Sequence, residues 1–522
     1  MNRRQLLARG GALAAAASLG PGFWRTALGQ EAQAGPSPYG ELQGPDENGL
    51  MLPEGFTSRI VATSLLPVPG TAYLWHLFPD GGACVPTDDG GWIYVSNSEN
   101  PPPIDVPGVT GLLSEVMGLL GDLDVPLTGG ASALRFAPDG RIVDAYRILD
   151  GTLANCAGGL TPWGTWLSCE EWENDASPYS AGQVWECDPF GRRPAVPRPA
   201  LGRFKHEMAT ADPDRQQIYL SEDQSDGLLY RYTPPPGTWG SGDCLEGGVL
   251  EVMSVADDGS VTWLSVADHL DPARPSRPIR TAVPGATPFD GGEGILYDAG
   301  LVYLTTKGDD RVWVHDVEAQ TMAVLYDSSS HITPVLSGVD NLAVSGAHDL
   351  YVAEDGGNLE VCVITPDRAV FPVARMVGDH HGFEQPTPLP LVSEVTGLAL
   401  SPDGNRLYFN SQRGMGLAGL PIGPGPGILY EVTGPFRGGT LAAERTAAST
   451  TTTTSTTVAA AGAPAAPAPP AVEVQSAATS RGVLPATGGS TSLGVATAAT
   501  AAGAALLALR RRAAGPSEPP AP

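Results

Sequence analysis

The chain has 522 residues, 57 acidic against 30 basic, a formal net charge of −27, and a hydrophobic share of 42 %. That is enough apolar material for a large buried core. The acidic excess excludes nucleic acid as a partner, whose capture depends on Lys and Arg neutralising phosphates, and it suits a protein that holds cations.

The first segment, residues 1–34, carries the twin arginine Arg3 and Arg4 in "NRRQLLARGG", a short apolar run "ALAAAASLG", and small residues around "AQAG". This order predicts a leader read by the Tat translocase and removed on export. A body of about 400 residues follows, 38–437. Its one helical pattern, "VTGLLSEVMGLLGDL" (Val109–Leu123), predicts a short helical insertion. Everything else reads as short strands parted by Gly, Pro and Asp turns such as "APDGR", "VADDGS" and "SPDGN".

The strands repeat. "WIYVSNSEN", "WGTWLSCEE", "QQIYLSEDQ", "LVYLTTKGDD", "DLYVAEDGG" and "RLYFNSQRG" share one template: an aromatic, an apolar residue, small polar residues, then a polar or charged group. The aromatics Tyr94, Trp166, Tyr219, Tyr303, Tyr351 and Tyr408 stand 72, 53, 84, 48 and 57 residues apart. Six strand-rich units with uneven insertions predict an all-β, six-bladed β-propeller. A β-sandwich would not account for six copies.

Upstream of five of these strands stands a second ligand-like residue. Taking the fourth residue after each aromatic as the strand's end gives the pairs Cys156/Glu170, Glu207/Asp223, Glu293/Lys307, Asp340/Asp355 and Glu394/Gln412, at spacings of 14, 16, 14, 15 and 18. A two-stranded hairpin brings the chain back to its starting end after about that many residues. In a propeller the first strand of each blade lines the central channel, so carboxylates and one thiol are expected to converge on one mouth. Such crowding is costly unless cations neutralise it. Carboxylates suit hard ions such as Ca²⁺, whereas a thiolate selects a transition ion such as iron or zinc. More than one kind of ion is expected, with His206 a further candidate and His380/His381 a weaker one.

After the body come a Thr/Ala/Pro-rich stretch, 438–483, containing "TTTTSTTVAAAGAPAAPAPP", then a segment 484–512, and a tail 513–522. The stretch has too few large apolar side chains to fold and is expected to be a disordered stalk. The segment 484–512 opens on "LPATGG" and continues through an apolar run, Leu493 to Leu509, to Arg510, Arg511 and Arg512. This order resembles a sortase sorting signal, which implies cleavage between Thr487 and Gly488, joining to cell-wall peptidoglycan, and an extracellular, wall-anchored location. A retained membrane anchor is the alternative, at the short limit for a span.

The blocks "NCAGGLTPWGTWLSCEE", "RFKHEMATADPDRQQIYLSED", "EGILYDAGLVYLTTKGDDRVWV" and "EVTGLALSPDGNRLYFNSQ" resemble the PhoX-type alkaline phosphatases. The resemblance implies a Tat-exported propeller with calcium and iron, Ca²⁺ and Fe³⁺, in a mixed cluster at the channel mouth, acting on small phosphate esters. It implies Cys156 as an iron ligand, and Glu170 or Glu171, Glu207, Glu293, Asp340, Glu354 or Asp355, and Glu394 as further ligands. Lys307 and Arg311 in "TKGDDR" are candidates for added positive charge at the catalytic site. One departure stands out: the family has an Arg-Pro pair before the glutamate matched by Glu293, and this chain has Gly291 and Gly292. A non-catalytic, metal-stabilised binding or adhesion propeller, or a calcium-dependent lactonase-like hydrolase, therefore stays open beside the phosphatase. Among the remaining cysteines, Cys187 and Cys244 are the first candidates for a disulfide. Cys84 falls at a channel register or in the core, and Cys362 is expected as a free core thiol.

Overall fold

The computed structural model describes residues 30–100, 128–172, 182–267, 279–377, 393–415, 424–425 and 427–440. The predicted helix Val109–Leu123, His380, His381, the stalk beyond residue 440, Thr487 and Gly488 lie outside these residues.

Six antiparallel sheets follow one another around an axis. Their innermost strands are Pro79–Pro86 in blade I, Asn155–Leu160 in II, His206–Asp212 in III, Gly292–Asp298 in IV, Val339–Val344 in V and Val395–Leu400 in VI. Each inner strand touches the next, and the sixth touches the first, so the ring is closed. The second strands carry the repeated template: Trp92–Ser98, Trp166–Glu170, Gln217–Glu222, Leu301–Thr306, Leu350–Glu354 and Arg406–Ser411.

A strand points successive side chains to opposite faces, and in a propeller both faces of each blade meet a neighbour. The apolar clusters accordingly bridge blade pairs. Tyr94 and Trp92 of blade I pack with Tyr408 of VI, Val95 of I with Trp166 of II, and Leu167 of II with Leu220 of III. Tyr219 of III packs with Leu304 of IV, Tyr303 of IV with Val352 of V, and Tyr351 of V with Phe409 of VI. The template aromatics are thus the inter-blade wedges, and their regular spacing is a packing requirement.

Blade VI is completed from the far end of the chain, because Thr57–Thr63 pairs antiparallel with Ile428–Thr433 as its outer strand. This closes the ring between segments remote in sequence. Blades also approach closely at their inner strands. A Cβ added at Gly159 of blade II would lie 1.8 Å from the Ala209 carbonyl oxygen of blade III, and one at Gly81 of blade I would lie 2.4 Å from Ala157 Cα of blade II.

All six inner strands break register just after their start, between Pro79 and Gly82, Asn155 and Gly158, His206 and Ala209, Gly292 and Ile295, Val339 and Leu342, and Thr396 and Ala399. A bulge re-aims the side chain it contains. Here, in blades I to V, it turns one donor side chain per blade toward the channel mouth.

Candidate metal centre

In blades I to V the first residue inside the bulge is Asp80, Cys156, Glu207, Glu293 and Asp340; in blade VI it is Gly397, which has no side chain to offer. The residue just after each second strand is Glu99, Glu171, Asp223, Lys307, Asp355 and Gln412. Ligand atoms of Asp80, Glu99 and Cys156 lie within 4.8 Å of one another, as do those of Cys156, Glu171 and Glu207, and those of Glu207, Glu293 and Asp340. Cys156 and Glu207 are each shared by two groups, so the three form one continuous donor cluster. Cys156 Sγ donates to Glu207 Oε1 at 3.1 Å.

Hydrogen bonds from the preceding blade fix the backbone of the bulge residues. Asn97 Nδ2 donates to the carbonyls of Cys156 (3.1 Å) and Ala157 (2.7 Å), Ser221 Oγ to that of Glu293 (2.5 Å), Thr305 Oγ1 to that of Asp340 (2.6 Å), and Asn410 Nδ2 to that of Asp80 (3.1 Å). These donors occupy the small polar positions of the template. Those positions position the site rather than line it.

The cluster is densely anionic and buried. Burial, followed by the Glu99 charge, lifts the Asp80 carboxyl to about 7. Burial lifts Glu293 to about 8 even though Lys307 opposes the shift. Glu171, Glu207, Asp340 and Glu394 are raised well above the carboxylate range, by burial first and then by neighbouring carboxylates, although Arg413 opposes the shift at Glu394. The Cys156 thiol is pushed up by burial and by Asp80 and Glu207. Among the described residues three cations stand by these groups, one of them Lys205, whose Nζ lies 3.9 Å from Glu171 Oε1. Lys307 Nζ lies 2.7 Å from Glu293 Oε1, 3.3 Å from Asp355 Oδ2 and 3.9 Å from Asp223 Oδ2. Arg413 pairs with Glu394. Gln412 Nε2 bridges Asp80 Oδ2 at 2.5 Å and Glu99 Oε2 at 2.7 Å.

Such a donor set fits several cations. Carboxylate oxygens in this number suit Ca²⁺, and the single sulfur at a shared corner suits a transition ion beside them. The residues available to hold ions are Asp80, Glu99, Cys156, Glu171, Glu207, Glu293 and Asp340.

The open alternatives in the sequence separate by geometry. Glu171 joins the cluster, whereas Glu170 turns the other way and accepts from the amides of Gln183 (3.1 Å) and Leu153 (3.3 Å). Asp355 faces Lys307, whereas Glu354 accepts from the amides of Ser337 (3.0 Å) and Glu360 (2.9 Å). Neighbours on a strand face opposite ways, and the inward residue is the second of each pair. Glu394 lies three residues ahead of Gly397, where its blade's bulge begins, and is bridged to Asp355. Arg311 is not brought to the cluster; its guanidinium pairs with Asp309 and Asp327, each at 2.7 Å. His206 points away, its Nε2 3.2 Å from the Gly202 carbonyl and its ring against Phe204. Cys187 and Cys244 are both free thiols, as are Cys84, Cys169 and Cys362.

Sequence reading missed Asp80, Glu99 and Arg413. The "DGG" of Asp80-Gly81-Gly82 parallels "CAGG" at Cys156, a signal that Cys84, two turns of the pleat further on, obscured. Glu99 was hidden by a one-residue offset. In blades I and II the inward residue is the fifth after the template aromatic, and in the other blades it is the fourth.

Fold and site together define a closed six-bladed propeller with an anionic, thiol-bearing donor cluster at one end of its channel. Residues 124–324 match the family model described as alkaline phosphatase PhoX. Among solved structures, the chain is similar to Pseudomonas fluorescens PhoX in complex with vanadate, a transition state analogue, with a TM-score of 0.57 and 18 % identity, covering 78 % of this chain and 98 % of that one. It is also similar to XC5397 from Xanthomonas campestris, a gluconolactonase, with a TM-score of 0.38 and 13 % identity, covering 76 % and 98 %. No curated protein sequence matches the chain. The match to that family model supports a metal-dependent phosphoric ester hydrolase, and the likeness to the solved structure shows the shared propeller fold.

Proposed function

We propose that the protein is an exported, cell-wall-anchored phosphatase that hydrolyses small extracellular phosphate esters at a calcium/iron cluster in the channel mouth. The observation that carries this reading is the bulge repeated in every inner strand. In five blades it aims a carboxylate or the Cys156 thiol at one buried cluster whose charge calls for cations. The twin arginine and the LPATG segment support export through the Tat translocase and attachment by sortase to peptidoglycan.

Cations bound there would polarise a phosphoryl group and lower the pKa of the attacking water. The chain's own residues bind and orient. Lys307, 38 % exposed, presents an ammonium at the mouth, and charge from Glu293, Asp223 and Asp355 holds it protonated although burial opposes this. It is therefore a fixed donor to a phosphoryl oxygen across the working pH range. Arg413, paired with Glu394, offers a planar donor suited to a second oxygen. At Gly291 the backbone is left-handed, with φ of 66°, so an arginine there would be strained. Lys307 and Arg413 are the cationic handles in its place.

The test is turnover of 4-nitrophenyl phosphate and its bis-ester, with elemental analysis before and after chelation. Loss of activity by about 100-fold or more on chelation, reversed by calcium plus iron, is expected. A fully metallated protein that turns over neither ester would leave a non-catalytic propeller. For Lys307→Met we expect kcat/KM to fall roughly 100-fold, as for loss of a transition-state donor. Arg413→Met should raise KM more than it lowers kcat, and unchanged kinetics in both variants would remove these residues from substrate binding.

A further inference from the structure

The segment Ala32–Gly35 is built into the propeller. Ala32 is fully buried in the apolar cluster of Leu325 and Val370, and its amide donates to the Leu325 carbonyl at 2.7 Å. The amide of Gln33 donates to the Arg368 carbonyl at 2.9 Å and that of Gly35 to the Val370 carbonyl at 3.0 Å. Gln33 and Ala34 pair in parallel with Ala369 and Val370. Leu325 lies on the outer strand of blade IV, Thr321–Asp327, and Ala369 and Val370 on that of blade V, Ala369–Met376. Four residues therefore stitch two blades together. The fit is close, since a Cβ on Gly35 would lie 2.6 Å from Ala369 Cβ.

These residues overlap the end of the stretch that sequence assigns to the leader. Two small-x-small triplets precede possible cuts there: Ala32-Gln33-Ala34 before Gly35, and Ala27-Leu28-Gly29 before Gln30. A peptidase must draw the residues ahead of the scissile bond into an extended, accessible form. The first triplet begins on a buried residue and is hydrogen-bonded into the sheet. A cut after it would also remove the stitch, leaving the Leu325 and Arg368 carbonyls without these donors and uncovering apolar surface. Gln30 and Glu31, by contrast, are exposed.

We propose that leader removal takes place at Gly29–Gln30, with Ala32–Gly35 retained as a structural strap of the mature propeller. Signal peptidase adds water across that peptide bond, leaving the carboxylate on Gly29 and the amine on Gln30. The inference rests on the twin-arginine leader and is independent of the phosphatase reading.

N-terminal sequencing and intact-mass measurement of the protein exported from a Tat-competent host provide the test. The expected terminus is Gln30 or its cyclised pyroglutamyl form; a terminus at Gly35, or retention of Met1, overturns the proposal. Gly29→Leu should accumulate the leader-bearing form, while Ala34→Leu, at an exposed strand position, should be processed normally; the reverse pattern overturns it. A chain starting at Gly35 should melt on the order of 5 °C below one starting at Gln30, and equal melting temperatures would refute the strap.

Discussion

Cys156→Ser is expected to strip the iron from the protein, leave most of the calcium, and lower phosphate-ester turnover by about 100-fold or more. The side chain sits inside the blade II bulge, where it belongs to two donor groups at once, with Asp80 and Glu99 on one side and Glu171 and Glu207 on the other. Serine preserves the shape and the contact with Glu207 but replaces a polarisable thiolate by a hydroxyl that stays protonated at neutral pH. A soft ligand is thereby lost at a corner where hard oxygens already abound. The calcium-suited carboxylates remain in place, so the effects on the two ions should separate. A loss of 100-fold corresponds to about 2.7 kcal/mol of transition-state stabilisation. Because the backbone at Cys156 is held from blade I by Asn97, folding should survive, and melting within a few degrees of the parent is the control. Iron content equal to the parent's would remove Cys156 from the metal centre.

Much of this arrangement was legible in the sequence because a propeller repeats its constraints. The aromatic wedge is needed at every blade junction and the small polar donor at most of them, so Tyr94, Tyr219, Tyr303, Tyr351 and Tyr408 mark the strands unaided. The bulge residues of blades II to V could be read from their distance to those wedges. What sequence did not reveal was rotational detail. Whether Glu170 or Glu171 faces inward depends on a one-residue phase in the second strand, and that phase differs between blades. Glu394 looked like a member of the series because it is a glutamate at nearly the right distance, yet the blade VI bulge opens on Gly397, and Thr396 just before it caps the Pro79 carbonyl with its hydroxyl at 2.8 Å. Outer-strand exchange was equally silent: nothing in Thr57–Thr63 states that its partner is Ile428–Thr433. Closure is a property of the ring and of no single segment.

The crowding of carboxylates leads to the second large expectation: the metal-free protein should lose stability steadily as pH rises from about 5 to 9, and the metal-loaded protein should not. In the unfolded chain these carboxyls titrate near their ordinary values of about 4. In the folded, metal-free chain Asp80 is raised to about 7 and Glu293 to about 8, and Glu207 and Asp340 are raised as well. Between those limits the folded state binds more protons than the unfolded state, so the slope of unfolding free energy against pH is negative. The stabilisation is complete below pH 4 as far as these groups are concerned, and it is lost as pH climbs through 7 and 8. With each such group contributing on the order of 1 to 3 kcal/mol, a fall in melting temperature of roughly 10 °C between pH 5 and pH 9 is expected for the chelated protein. Bound cations reverse the sign, because they favour the ionised ligands and must compete with protons at low pH. Calorimetry of chelated and reconstituted samples across this range would check both slopes. Parallel curves would mean that the donor cluster carries its charge without metal, which its geometry, with Lys205, Lys307 and Arg413 set against a larger number of carboxylates, does not provide for.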